Sequence, residues 1–208
     1  MPLKSLRKAI LVKAEVTPGT DPVPVAGTDA VLVRNWQWSP LQLNYEQRQM
    51  VLVYFGNDGS LVAGKYCQAQ FEVEIAGAGS AGGVPKYDAL LQGCALSSTN
   101  SPGVSQTYAP VSSGEKSLAF YFYQDGILHK MLYARGNVAC KLEAGKTPVF
   151  VFTFIGLYVT VADASLITPT LTGFTKPLPV NNANTTPATL DSYAAAFSSL
   201  SIDAGSFV

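Results

Sequence analysis

The sequence predicts a mainly β chain: antiparallel strands form the body, one helix docks on the sheet, and two segments stand away from it as arms. Three observations carry this. Cys67 to Ile75 (CQAQFEVEI) alternates with a period of two, with Cys67, Ala69, Phe71, Val73 and Ile75 on one face. Gln68, Gln70, Glu72 and Glu74 fall on the other, the pattern of a strand with one buried and one wet face. Between Tyr108 and Val161, apolar runs alternate with tight-turn signals, which implies antiparallel neighbours. Helical spacing occurs convincingly only in Pro85 to Ala95 (PKYDALLQGCA), where Tyr87, Leu90, Leu91 and Cys94 follow i, i+3, i+4, i+7.

The 208 residues suffice for one sizeable β domain or two small ones. Fourteen basic and fourteen acidic residues leave a net charge of zero, which favours association and offers no general attraction for nucleic acid. Nearly half the residues are hydrophobic, yet no run reaches bilayer-spanning length, so the apolar excess belongs to a core, to subunit interfaces, or to both. Cys67, Cys94 and Cys140 are too widely spaced for a zinc or redox motif, and all three fall on apolar faces as inert thiols. Near the N-terminus, Lys13 and Glu15 interrupt the apolar run too early for a signal peptide, so intracellular synthesis is expected.

In chain order, Leu6 to Thr17 is a strand with Ile10, Val12, Ala14 and Val16 on one face and Arg7, Lys13 and Glu15 on the other. Val31 to Trp38 is the second, with Arg34, Trp36 and Trp38 sharing a face. Residues 41–63 form a hairpin arm with polar residues on both faces, exposed Met50, Val51, Leu52, Tyr54 and Phe55, and a Gly56-Asn57-Asp58-Gly59 turn. Such a hairpin invites aggregation unless something covers it. Pro85 suits a first helical position, and Ser97 to Ser105 reads as a polar loop. Then come strands Ser117 to Tyr123, Ile127 to Ala134 and Gly136 to Leu142, and a central strand from Pro148 to Val161, with a bulge expected at Gly156. The division is therefore a β domain over 1–161 and an extended C-terminal arm over 162–208, with one short strand at Leu200 to Asp203 and an apolar Phe207-Val208 end suited to a partner surface.

Catalytic patterns are missing. Gly77 to Gly82 matches G-x-G-x-x-G, but the preceding strand carries Glu72 and Glu74, and Gly83, Val84 and Pro85 intervene before the helix. A dinucleotide-binding first strand is continuously apolar and its helix opens within the motif, so a flexible loop is expected here. His129 is the only histidine and lies in a hairpin, on the surface by this reading; no G-x-S-x-G accompanies it. Glu72 and Glu74 lack the asymmetric surroundings that separate an acid from a base. No enzyme, cofactor or metal site is expected.

The order of segments resembles the major tail tube proteins of long-tailed (siphovirus-type) bacteriophages. The resemblance rests on the Trp-containing strand, the arm with YFGNDG, FEVEIAGAGSAG, one helix, YAPVSSGEKSLAFYFYQDGILHK, ARGNVACKLEAGKTPVFVFTFIGLY and PLPVNNANTT, across about residues 6 to 190. It implies an antiparallel β-sandwich or rolled barrel with one flanking helix, in hexameric rings stacked into a tube that conducts DNA. The expected partners are copies of the chain, within and between rings, and the terminator, distal tail and tape measure proteins. Viral DNA would pass through without sequence-specific binding, and no membrane would be involved. The chain would be made in the host bacterial cytoplasm and reside in the virion tail. On this reading Gln68, Gln70, Glu72 and Glu74 face the lumen. Tyr45, Arg48, Met50, Leu52, Tyr54, Phe55, Asn57, Asp58 and Leu61 stack onto the next ring.

Two alternatives stand beside it. Another tail component (a terminator, a distal ring or a type VI secretion tube subunit) would share the fold. A carbohydrate-binding β-sandwich would instead expose Trp36 and Trp38 as stacking platforms.

Overall fold

A computed structural model describes residues 7–51, 53–54, 56, 59–181, 183–185, 189–194 and 197–206. The strands are β1 (Lys8–Ala14), β2 (Arg34–Gln47), β3 (Ser60–Glu74), β4 (Leu96–Ser101), β5 (Ser105–Pro110), β6 (Leu118–Gln124), β7 (Gly126–Glu143), β8 (Val149–Tyr158), β9 (Ala162–Ala164), β10 (Thr189–Leu190), β11 (Tyr193–Ala194) and β12 (Ser199–Asp203), with helix α1 at Asp88–Gln92. The main sheet runs β1-β6-β7-β8-β3-β2, every pair antiparallel, and β9 and β12 add to β7.

The sheet rolls on itself. Trp36 on β2 packs on Phe122 of β6 with centroids 5.1 Å apart, although three strands separate β2 from β6 in the sheet order. Between the curled ends lies a core in which Phe71, Phe120, Phe152 and Phe154 are essentially inaccessible to solvent. α1 closes one side through buried Leu90 and Leu91. The fold is thus the expected mainly β antiparallel architecture with a single short helix.

Several elements differ from their sequence reading. The helix spans five residues rather than 85–95; Pro85 stands in the turn before it, where its carbonyl accepts the Asp88 N–H. Gly93 ends it against Leu118, whose Cδ1 would lie 2.5 Å from an added Cβ. The apolar spacing was right because Tyr87 and Cys94 flank the helix and still point inward. Residues 97–105 are not a loop but most of the β4–β5 hairpin, whose polar side chains bond one another: Gln106 Nε2 donates to Ser98 Oγ, and Asn100 Nδ2 to Gln106 Oε1. Hydrophobic periodicity could not reveal a strand pair held by amides and hydroxyls. The second strand begins at Arg34 and runs into the arm, and the first is buried on both faces, because Leu11 packs with Ala30, Tyr121 and Leu128 in a second cluster.

Ile127 to Ala134 and Gly136 to Leu142 are one strand, β7, with a bulge in the pairing between Leu132 and Arg135. The bulge expected at Gly156 is therefore on the partner strand. Gly156 faces it so closely that a Cβ would meet Met131 Cγ at 2.6 Å and the Leu132 carbonyl at 2.8 Å. Tyr133 takes φ 53° at the bulge, and its N–H donates to Glu15 Oε1 at 2.8 Å. Glu15, read as an outward residue, is buried at 7% exposure, and its Oε2 accepts from Ser117 Oγ and the Gly19 N–H. One carboxylate thus joins the end of β1, the approach to β6, the bulge of β7 and the Pro18-Gly19 turn. A buried charge is tolerable when it accepts this many hydrogen bonds.

The C-terminal segment folds back where β12 pairs Ser199–Asp203 with Ala139–Glu143, although all five of its residues stay exposed. Asn137 Nδ2 donates to Asp203 Oδ1, and the Gly205 N–H donates to the same oxygen. These bonds hold the Asp203 carboxyl below the usual carboxylate range. Asp21 is also held low: burial alone would raise it, but hydrogen bonds from Tyr121, Lys130 and the Val23 N–H outweigh that. A depressed folded-state value adds stability above the unfolded value, roughly pH 4, that is lost as pH falls through the folded one. Hydrogen-exchange protection of β12 is therefore expected to be intact from neutral pH down to about 4 and to fall below it. Asp203→Asn should flatten that acid dependence, and equal protection of β12 at pH 3 and pH 6 in the parent would refute it. The Phe207-Val208 expectation lies outside the described residues.

Candidate functional site: a polar sheet face and a projecting hairpin

β3 turns Cys67, Ala69, Phe71 and Val73 into the core, leaving Gln68, Gln70, Glu72 and Glu74 on the outer face as expected. Register extends that face across neighbouring strands. Gln70 lies between Gln37 of β2 and Thr153 of β8, and Thr153 lies opposite Asn137 of β7. In the next row Glu72 lies between Arg34 and Val151, followed by Ala139 and Asp203. Glu74 begins a row that continues through Val149, Lys141 and Ser201. The face thus carries charges of both signs: Arg34 and Lys141 with Glu72, Glu74 and Asp203.

Arg34 belongs to this face and not with the tryptophans. Its Nε lies 3.1 Å from Glu72 Oε2 and its Nη1 3.5 Å from Glu74 Oε1. A β-bulge between Arg34 and Gln37, with Asn35 at φ 52°, inserts an extra residue and reverses the facing. Asn35 Nδ2 also donates to Glu72 Oε2. Strict alternation across RNWQW placed Arg34 wrongly because a bulge shifts the period by one. The glutamates are therefore paired rather than merely solvated. Lys141 was legible, since Asn137, Ala139 and Lys141 alternate with Val138, Cys140 and Leu142.

Trp36 and Trp38 turn inward. Their rings stack at 5.9 Å and 16°, and Trp36 also packs on Phe71 at 5.3 Å. Both indole nitrogens are buried and, among the described residues, have no hydrogen-bond partner. That removes the exposed platforms a carbohydrate-binding module would need. His129, read as a surface residue, is half-buried against Trp38 and Phe122, and burial lowers its pKa. Burial pushes the Cys67 thiol up to about 11, and raises those of Cys94 and Cys140. Cys67 and Cys94 are buried and Cys140 half-buried, all free. The Gly77–Gly83 loop is tied down rather than loose: Asn100 Nδ2 donates to the Gly82 carbonyl and Thr175 Oγ1 to that of Gly77. Among the described residues, no group of three His, Cys, Asp or Glu is placed to hold a metal ion. No helix there is long and apolar enough to cross a membrane.

The β2–β3 ladder reaches Gln47 opposite Ser60, and the hairpin continues past it. Val51 and Val53 are fully exposed. Met50 and Tyr54 are largely so, as are Tyr45 and Leu61 on the adjoining strands, and Arg48 is exposed. The expected arm residues Leu52, Phe55, Asn57 and Asp58 lie outside the described residues. Val53 belongs to the same apolar tip and escaped the sequence reading, although it sits within a run of strand-forming apolar residues.

No protein-family model matches the chain, and no curated protein matches it. Among solved structures, it is similar to a chain of the anti-feeding prophage cap, described as the tube-terminating cap. Identity there is 10%, the TM-score 0.47, and the match covers 79% of this chain and 93% of that one. It is also similar to a chain of the six-fold symmetrised anti-feeding prophage baseplate, at 12% identity and TM-score 0.46, covering 80% and 97%.

Proposed function

We propose that the chain is a ring-forming structural component of a phage-tail-like tube, with the β2-β3-β8-β7 face lining a channel and the hairpin arm making contacts between rings. The observation that supports this best is the arm, a hairpin that carries Met50, Val51, Val53 and Tyr54 exposed beyond the paired part of the β2–β3 ladder. Isolated exposed apolar side chains are ordinary, but a contiguous set on a projecting hairpin marks a surface built to be covered. A head-to-tail contact that closes on itself makes a ring. Closure also removes exposed strand edges such as the outer side of β2, which hydrogen-bonds only β3 in the main sheet. The repeated tube subunit and a terminating or distal ring share this architecture and differ in whether rings stack without limit. In this role the chain binds copies of itself and other tail components, and acts without catalysis.

Sedimentation velocity over a concentration series tests ring formation. A closed ring is expected at roughly six times the 22.0 kDa chain mass; a single 22.0 kDa species at every concentration would exclude it. The channel wall has its own test. With near-balanced charge it would let DNA slide, whereas lysines would bind phosphate. Glu72→Lys combined with Glu74→Lys is expected to fold, because exposed ion pairs contribute little, and to assemble. Particles carrying it should release DNA much more slowly than the parent and recover at raised salt. Unimpeded release would remove these residues from the wall.

A further inference from the structure

A cleft lies at the end of the β2–β3 ladder opposite the arm. It is lined by Leu32, Val33, Ala76, Ala78, Tyr87 and Phe174, together with the charged Arg34, Glu74 and Lys86. Its volume is about 230 Å³, below the roughly 300–1,000 Å³ of ordinary ligand pockets. That size suits a few apolar side chains of a protein knob better than a cofactor. Leu32 is 48% exposed on its wall, so apolar surface there is uncovered.

The geometry points to this cleft as the seat for the arm tip of a second copy in the adjoining ring, an inference that rests on the ring-forming role above. Two observations favour that occupant. The first is direction. β3 carries the arm at Ser60 and reaches the cleft at Glu74, and β2 carries the cleft at Arg34 and the arm at Gln47. Fifteen residues of strand place the two about 46 Å apart. Translating a copy along the strands therefore brings arm to cleft, a heterologous contact that repeats without limit. The second is chemistry: an apolar tip of Met50, Val51, Val53 and Tyr54 meets an apolar cleft. The cleft and arm together distinguish a subunit that stacks on both faces from a terminal ring.

The test uses the full chain. Val53→Asp and Leu32→Glu each alter an exposed side chain at opposite ends of the molecule, so both should melt like the parent and form rings. Each is expected to raise the concentration needed for stacking at least about tenfold, the result of losing 1.4 kcal/mol per contact. A Val53→Cys, Leu32→Cys double variant should give covalent multimers on oxidation of stacked tubes. Neither variant carrying only one of the two added cysteines should, and the two sites are too distant for an intrachain bridge. Tubes that stack normally in Val53→Asp or Leu32→Glu, or stack without cross-linking, would overturn the cleft assignment and leave the ring intact. Parent rings that never stack would do the same. A parent that forms no ring would remove both.

Discussion

Phe71→Ala is expected to lower stability by about 4 kcal/mol, the scale of emptying a large buried aromatic site. Phe71 is 1% exposed and sits where the two curled halves of the sheet meet. Its ring contacts Trp36 at 5.3 Å, Phe152 at 5.6 Å, and Phe120 and Phe154 at 6.0 Å each. Truncation removes the wall against which Trp36 packs from β2 as well as the contacts within β3's own layer. The surrounding rings are held by backbone ladders on β6 and β8 and have little freedom to close the space, so the cavity contribution should persist. For a chain of this length the melting temperature should fall by roughly 8–16 °C. Tryptophan emission of the native state should also move to longer wavelength as water reaches Trp36. A melting temperature within 2 °C of the parent would mean that the core is not organised around this ring.

Glu15→Ala is expected to cost about 3 kcal/mol, by a different route. The carboxylate accepts three hydrogen bonds, from Tyr133 N–H, Ser117 Oγ and Gly19 N–H. Leaving buried donors unpaired costs on the order of 1–3 kcal/mol each when water cannot replace the partner. Ser117 can rotate its hydroxyl and Gly19 lies nearer solvent, so the Tyr133 N–H bears most of the loss. The strain of φ 53° at that residue is held by the same bond. Amide exchange at Tyr133 and Ala134 should rise well before global unfolding. Glu15→Gln should recover part of the loss, because its single carbonyl oxygen can serve only part of the set. Equal stability of Glu15→Ala and the parent would show that this carboxylate does not organise the bulge.

What sequence revealed and what it missed divide along physical lines. The CQAQFEVEI strand was legible because one face is buried and the other wet, and its partner β8 was recognisable as central from apolar residues on both faces. The inward set at the helix was legible from spacing alone, while its length was not, because Gly93 ends it through a close approach to Leu118 that only the tertiary structure contains. Glu15 and Arg34 were misplaced for related reasons. β1 ends at Ala14, so Glu15 leaves the alternation and folds inward. The bulge at Asn35 shifts Arg34 onto the polar face, where it pairs with Glu72. The β4–β5 hairpin carries its cohesion in Ser, Asn and Gln side chains and so leaves no hydrophobic signature. The cleft was invisible in sequence because it joins residues near 32, 76, 86 and 174, four segments far apart along the chain.

Electron microscopy of the negatively stained, purified protein across a concentration series tests the central claim most directly. Rings with an axial channel, stacking into tubes as concentration rises, are the predicted result. Featureless monomers persisting at the highest concentration would contradict it.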